Sequence, residues 1–184
     1  MIFFDMDGVI AVHNDGDYFG EHPKYKTKGY FKNRPVDEAV KTLVEFIDDA
    51  FTSDFTYLSS ITEGLDFEQV SKDKYSWLEK FGLVRDGNPE PVFVDGSDKV
   101  AAAEKFLGRK LEKTDVLIDD YNPNLKSWSD AGGTAIKYLN GANSSESWNK
   151  DLQFQLNPYE DPIENSVHFL DVAYLILDKA NILK

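Results

Sequence analysis

The sequence contains no cysteine and only three histidines among 184 residues, and both shortages narrow the available chemistry. Without cysteine there is no disulfide framework, no thiolate nucleophile and no sulfur-bound zinc. Three histidines make an all-nitrogen metal site a poor fit, which leaves oxygen ligands and oxygen nucleophiles. Basic residues are also scarce, with 20 Lys and Arg against 33 Asp and Glu and a formal net charge of −13. Nucleic acid is gripped by clustered cations that displace condensed counterions, so this composition disfavours a nucleic-acid polymer as partner. Wherever an anionic substrate binds, local compensation such as a metal is required. Long hydrophobic runs are missing as well. The apolar start MIFFDMDGVIAV is broken by two Asp, carries no basic leader and falls far short of the roughly 20 residues that span a bilayer. The expectation is a cytoplasmic chain with no membrane segment. Hydrophobic residues at 41% and aromatics at 14% exclude an acidic disordered tail, and the length suits a single domain over 1–184.

Five short apolar runs, Ile2 to Asp5, Phe55 to Ser59, Val92 to Asp95, Val116 to Asp119 and Thr134 to Leu139, have the form of buried strands. Helical patterns lie between them. Pro35 opens one with apolar positions at Val36, Val40, Leu43, Val44 and Ile47; Phe67 to Phe81 and Asp98 to Leu107 follow, with Asp98 placed as an N-cap. The alternation predicts an α/β fold, a Rossmann-like parallel sheet with helices on both faces. Functional groups in such sheets gather at the carboxyl ends of the strands. Two stretches break the pattern. Residues 13–33 have neither period and read as a small cap inserted after the first strand. Residues 142–184 read as a C-terminal extension: an Asn, Ser and Pro loop to residue 161, then Pro162 to Leu183 with Ile163, Val167, Leu170, Tyr174 and Leu177 at helical spacing, a docked helix.

The strongest chemical signal is Phe3-Phe4-Asp5-Met6-Asp7-Gly8, two carboxylates two residues apart at the end of an apolar strand. Alternate residues of an extended chain face one side, so both acids can meet one phosphate and one hard cation, and Gly8 lets the backbone turn closely beneath them. A solvated turn or an N-cap fits poorly after an unbroken apolar strand. The pattern resembles the first motif of the haloacid dehalogenase (HAD) superfamily of phosphotransferases. That resemblance implies that Asp5 is a nucleophile forming an aspartyl-phosphate and Asp7 a general acid and base. Three companions are expected. Phe55-Thr56-Tyr57-Leu58-Ser59-Ser60 resembles the strand whose terminal hydroxyl bonds the phosphoryl oxygens, with Ser59 the first choice and Ser60 its neighbour, although a serine pair is also ordinary loop composition. Val116-Leu117-Ile118-Asp119-Asp120 ends in adjacent acids, which a buried strand tolerates only where a cation or donors offset the repulsion. The resemblance implies that Asp120 binds Mg²⁺ directly, with Asp119 in support and Asp5 and the backbone carbonyl of Asp7 completing the metal site. Two lysines compete for the phosphate. Lys99 opens the helix between the third and fourth strands and is favoured on topology; Lys74 shares an inward helix face with Val70, Trp77, Leu78 and Phe81.

Within the superfamily the motifs DMDGVIA, DKYSWLEKFG, SDKV and LIDDYNPNLKSW are most similar to those of the 5′(3′)-deoxyribonucleotidases and their bacterial and phage relatives. The resemblance implies a Mg²⁺-dependent phosphomonoester hydrolase acting on (deoxy)nucleoside monophosphates. The alternatives are another small phosphate, such as a sugar phosphate, or a non-catalytic cation-binding protein on the same fold. The stretch from Gly8 to Pro35 is too short for the full helical cap of the larger nucleotidases. Its aromatics, Phe19, Tyr25, Tyr30 and Phe31, are candidates to stack on a base, to form a small cluster that lets the insertion fold, or to pack against a second copy in a homodimer. The mechanism further requires Asp7 to start protonated and Asp5 ionised, so their environments are expected to part their pKa values.

Overall fold

The computed structural model describes residues 1–13, 24–52, 54–143, 147–157 and 166–183. Its strands are β1 (Ile2–Phe4), β2 (Phe55–Ile61), β3 (Val92–Asp95), β4 (Val116–Asp119), β5 (Thr134–Tyr138) and β6 (Gln153–Phe154). They form one sheet in the order β3-β2-β1-β4-β5-β6, and every pairing is parallel. Strand alternation fixes the two faces of this sheet. Ile2 and Phe4 enter one hydrophobic cluster with Val40, Leu43 and Ile47 of α1 (Glu38–Ala50), Trp77 and Leu78 of α2 (Phe67–Lys80) and the buried side of α5 (Ser166–Lys179). Phe3 and Leu117 enter another, with Ala103 of α3 (Lys99–Leu107) and Leu125 and Trp128 of α4 (Asn122–Asp130). A central strand apolar on both sides therefore finds helices above and below it, as the uninterrupted apolar runs require.

Local chemistry sets the element boundaries. Pro35 precedes rather than opens α1: the N-cap is Asp37, whose carboxylate accepts from the amides of Ala39 and Val40 at 3.1 and 3.0 Å, and Val36 instead makes an isolated bridge with Ala11. Asp98 caps α3 as expected, accepting from Ala101 N at 2.9 Å. β2 runs two residues past Ser59, because Ser60 and Ile61 pair with Val94 and Asp95.

The C-terminal extension departs from expectation twice. Its helix is real, but the face that docks is Phe169, Val172, Ala173, Ile176, Leu177 and Ala180, while Val167 and Tyr174 are exposed. Two apolar stripes overlap in this segment, and the one containing two alanines packs beside α1, with Phe169 against Phe46, and buries the longer continuous row. The supposed loop before it supplies β6, whose two residues are too few to show a period. Of the segment 13–33, residue 13 and residues 24–33 are described. It holds a 3₁₀ turn (Lys24–Lys26) and a small cluster in which Phe31 packs with Ile61 and Val70, and with Tyr25 and Tyr30 at its margin. Among the described residues, no helix is long and apolar enough to cross a membrane.

At the opposite end of the sheet from the strand carboxyl termini, Asp115 is fully buried. It accepts from Arg109 Nη2 at 2.9 Å, Arg109 Nη1 at 2.5 Å and Glu112 N at 2.8 Å. Burial raises its pKa, but the bonds from Arg109 and the Glu112 amide outweigh that, and the carboxyl titrates below its ordinary range. A depressed folded pKa contributes stability that is complete above the unfolded value, about 3.9, and is lost as pH falls through the folded value. Asp115→Asn is expected to lower the thermal midpoint at neutral pH and to lessen its fall in acid. A variant whose midpoint follows the parent's acid limb unchanged would contradict this.

Candidate active site

The strand order reverses direction between β1 and β4, and crevices form at such a switch point beyond the carboxyl ends of the strands. The chemistry-bearing residues gather there. Asp5 follows β1 directly, its amide donating to Ile118 O of β4 at 2.9 Å, and its Oδ1 accepts from Met6 N at 2.7 Å. Asp7 comes two residues on. Gly8, at φ +90°, turns the chain so tightly that a Cβ there would lie 2.4 Å from Asp120 Oδ2. Only glycine fits this place, since the positive φ and the close approach both exclude a side chain.

Lys99, at the start of α3, is buried and lies 2.8 Å from Asp5 Oδ1 and 2.7 Å from Asp119 Oδ2. Asp119 also accepts from Tyr121 N on Oδ1 at 2.8 Å and from Asn124 Nδ2 on Oδ2 at 3.0 Å. Lys74 is equally buried but serves the other acid: its Nζ lies 2.5 Å from Asp7 Oδ2, 2.8 Å from Ser59 Oγ and 2.9 Å from Ser60 O. Arg34, buried at the end of the insertion, holds Asp7 Oδ1 through Nη1 and the carbonyls of Ala11 and Val12 through Nη2. Asp120 has no cationic partner among the described residues. Its Oδ2 accepts from the amide nitrogens of Asn140 and Asn143, both at 2.6 Å.

Four carboxylates thus meet three buried cations, and the excess negative charge falls on Asp120. Burial, then the charges of Asp119 and Asp5, push its carboxyl up to about 8. Burial also raises Asp5, to about 6, against the pull of Lys99. Asp7 goes the other way: burial opposes its charge, but Lys74 and Arg34 outweigh it and hold the carboxyl below its ordinary range. Lys99 is kept protonated by Asp119 and Asp5 despite its burial. The expected parting of Asp5 and Asp7 is present, but its order is the reverse of the one expected from the sequence. Two cations converge on Asp7 where the local sequence shows none, because Arg34 and Lys74 arrive from 27 and 67 residues away.

Carboxylate oxygens of Asp5, Asp119 and Asp120 lie within 4.8 Å of one another. An all-oxygen, buried, net-negative cluster is the donor set that a hard divalent cation such as Mg²⁺ takes. The Asp7 carboxylate is not part of this cluster, since both its oxygens face cations. A cavity of about 400 Å³ opens onto the site, lined by Asp5, Asp7, Ser60, Lys99 and Asp120 and further out by His13, Thr62, Tyr121, Asn124 and Asn143.

Several sequence candidates take different places from those expected. Of the serine pair, Ser59 turns its hydroxyl to Lys74, whereas Ser60 faces the cavity with a buried Oγ that has no hydrogen-bond partner. Phe31 is 6% exposed, with Tyr30 edge-on to it and the Lys74 ammonium 4.8 Å from its ring centroid, so it packs inside the cap cluster rather than offering a stacking face. Tyr30 lines a separate surface groove with Lys24, Lys28 and Asn33. Phe19 lies outside the described residues. Tyr121, 50% exposed, is the aromatic that lines the cavity among the described residues. Sequence reasoning passed over Arg34, Asn124, Asn140 and Asn143. Only Asn140, just beyond the end of β5, stood where the strand-end rule could have found it.

No protein-family model and no curated protein matches the sequence. Among solved structures, the chain is similar to D,D-heptose 1.7-bisphosphate phosphatase from B. bronchiseptica, determined with magnesium and phosphate. The TM-score is 0.60 at 11% identity, covering 97% of this chain and 98% of that one. It is also similar to a HAD-superfamily hydrolase from Ehrlichia chaffeensis, with a TM-score of 0.50 at 14% identity and coverage of 97% and 96%. The shared property is the fold: the chain has the α/β architecture of the HAD-like proteins, as the first motif implied.

Among the described residues, Lys99 is the cation bonded to both Asp5 and Asp119. Removing it as Lys99→Met leaves two buried carboxylates without their partner, and the expected loss is about 3–5 kcal/mol. Urea unfolding without divalent cations measures it, and an unchanged midpoint would contradict the charge arrangement described here.

Proposed function

We propose that the protein is a Mg²⁺-dependent phosphomonoester hydrolase that works through an aspartyl-phosphate on Asp5. The observation that carries this reading is the convergence of Asp5, Lys99 and Asp120 on one cavity, with Asp119 clustered beside them, in a fold shared with a phosphatase determined with magnesium and phosphate. Asp5, Asp119 and Asp120 would hold the metal. Bound there, Mg²⁺ supplies Lewis-acid polarisation of a phosphoryl oxygen and offsets the repulsion between carboxylate and phosphate.

The protein groups carry the steps. An Asp5 carboxylate oxygen attacks phosphorus in line, and the bond to the ester oxygen breaks. Asp7 gives that oxygen a proton, brought to its carboxylate by the monoanionic form of the entering phosphomonoester, and is left as a carboxylate beside the Lys74 ammonium 2.5 Å away. In the second half Asp7, held ionised by Lys74 and Arg34, takes a proton from water as the water attacks phosphorus and the Asp5 oxygen departs. Lys99 steadies Asp5 and Asp119, and Ser60, with its unpartnered Oγ facing the cavity, offers a hydroxyl to the phosphoryl group. Pre-placed donors of this kind act on the charge that develops in transit.

For the substrate, we propose (deoxy)nucleoside monophosphates, supported by the motifs shared with the deoxyribonucleotidases and by Tyr121 as a ring on the cavity wall. A second reading, a sugar phosphate, is favoured by the polar lining of Thr62, Asn124 and Asn143 and by the burial of Phe31 away from the cavity. The heptose phosphatase of similar fold points the same way.

A panel of nucleotides, sugar phosphates and aryl phosphates, assayed with Mg²⁺ and with EDTA, tests both levels. Turnover is expected with Mg²⁺ alone, absent in Asp5→Asn, and slowed about 10²–10⁴-fold in Asp7→Asn. Activity retained in Asp5→Asn would overturn the mechanism. Higher kcat/KM for every sugar phosphate than for any nucleotide would replace the substrate class and leave the chemistry standing.

A further inference from the structure

We propose that Asn140 and Asn143 are positioning residues for the cation site, and that the sixth strand serves the site by holding the loop that carries them. The proposal rests on the reading of Asp5, Asp119 and Asp120 as ligands for a divalent cation.

The side chain of Asn140 ties together two strand ends. Its one amide nitrogen donates to Gly8 O at 2.9 Å and to Asp120 Oδ2 at 2.6 Å, which uses both of its hydrogens. Its Oδ1 accepts from the amides of Ala142 and Asn143 at 2.9 and 3.0 Å, so the loop is folded around the side chain. The orientation of the amide is thereby fixed. Reversed, its oxygen would face two acceptors and its nitrogen two donors. The turn after β1 and the end of β4 are joined through this group.

Asn143 donates to the same Asp120 Oδ2 at 2.6 Å, while Asp120 Oδ1 accepts no hydrogen bond among the described residues. Two amides on one oxygen settle which way the carboxylate turns and leave the other oxygen for a cation. Both donors are neutral, so they orient Asp120 without discharging it. A lysine or arginine in either place would neutralise the charge that a cation needs.

The root of the loop is secured by the C-terminal extension. Leu139 N donates to Phe154 O at 2.8 Å, and Tyr138 pairs with Phe154 in register. The Tyr138 hydroxyl lies 3.3 Å from Leu156 O and 2.5 Å from Asp37 Oδ2 at the cap of α1. Strand, loop and acid are thus one connected unit.

Mg²⁺ titration calorimetry on the full chain, without substrate, tests the proposal. Outer partners of metal ligands typically govern affinity about 10–100-fold, and losses of that size are expected for Asn140→Ala and for Asn143→Ala. Asn143→Gln, which keeps an amide donor, is expected to recover part of the loss. In turnover the Mg²⁺ activation constant should rise by a similar factor in the Ala variants and fall back in Asn143→Gln, a pairing that general destabilisation would not produce. Melting in EDTA reports folding; if Asn140→Ala does not fold, Asn143→Ala and its Gln counterpart decide the matter. Unchanged Mg²⁺ affinity in a folded Asn143→Ala overturns the proposal while the cation site stands. No Mg²⁺ binding by the parent chain overturns both.

Discussion

The surplus of one buried negative charge at the β1–β4 switch point is the constraint on which the site depends. Lys99, Lys74 and Arg34 are each buried and each bonded to a carboxylate, yet Asp120 is left with amide donors alone. A folded protein keeps such an imbalance only where something offsets it, because a buried unpaired charge is costly. A divalent cation offsets it directly. The same imbalance explains how an acidic protein could receive a phosphate: the compensation is concentrated in one crevice rather than spread over the surface. It also separates the four acids by role, with Asp7 bound to two cations at the cavity wall, Asp119 bonded to Lys99, Asn124 and an amide beside the other two, and Asp5 and Asp120 facing the cavity.

The fold supplies this arrangement through its connections. Helices above and below the sheet bury β1 completely, which fixes Asp5 against Ile118, and the N-cap of α3 delivers Lys99 from the opposite side. Lys74 comes from the inward face of α2, and Trp77 one turn later donates to Arg34 O at 2.8 Å, so helix and insertion are held together at the site. The remaining support comes from beyond β5, where the loop of Asn140 and Asn143 reaches back to Gly8 and Asp120.

Much of this was legible in the sequence because the signals were local. Apolar strands ending in acids, the glycine after Asp7 and the cap at Asp98 each follow from a few neighbouring residues, and they place four of the parallel strands within a residue of their observed bounds. The Lys74 helix face was legible for the same reason, since period 3.6 puts it beside Trp77 and Leu78. What escaped depends on contacts between distant segments. The charge state of Asp7 is decided by Arg34 and Lys74, and no spacing rule links those three. Which serine faces the cavity turns on a single step of strand parity, and β2 runs on past the pair. The docking face of α5 was misjudged because two apolar stripes share the segment and only packing against distant residues, those of α1 among them, chooses between them. β6 is two residues long and has no period to read.

The central claim is that phosphoryl groups pass through the carboxylate of Asp5. An acyl phosphate is reduced by borohydride to an alcohol, so quenching a reacting mixture of protein, Mg²⁺ and phosphomonoester with borohydride and mapping the peptides by mass spectrometry tests it directly. The account predicts homoserine at position 5 and aspartate elsewhere. Steady turnover with residue 5 recovered only as aspartate, or with the reduced residue at another position, would contradict it.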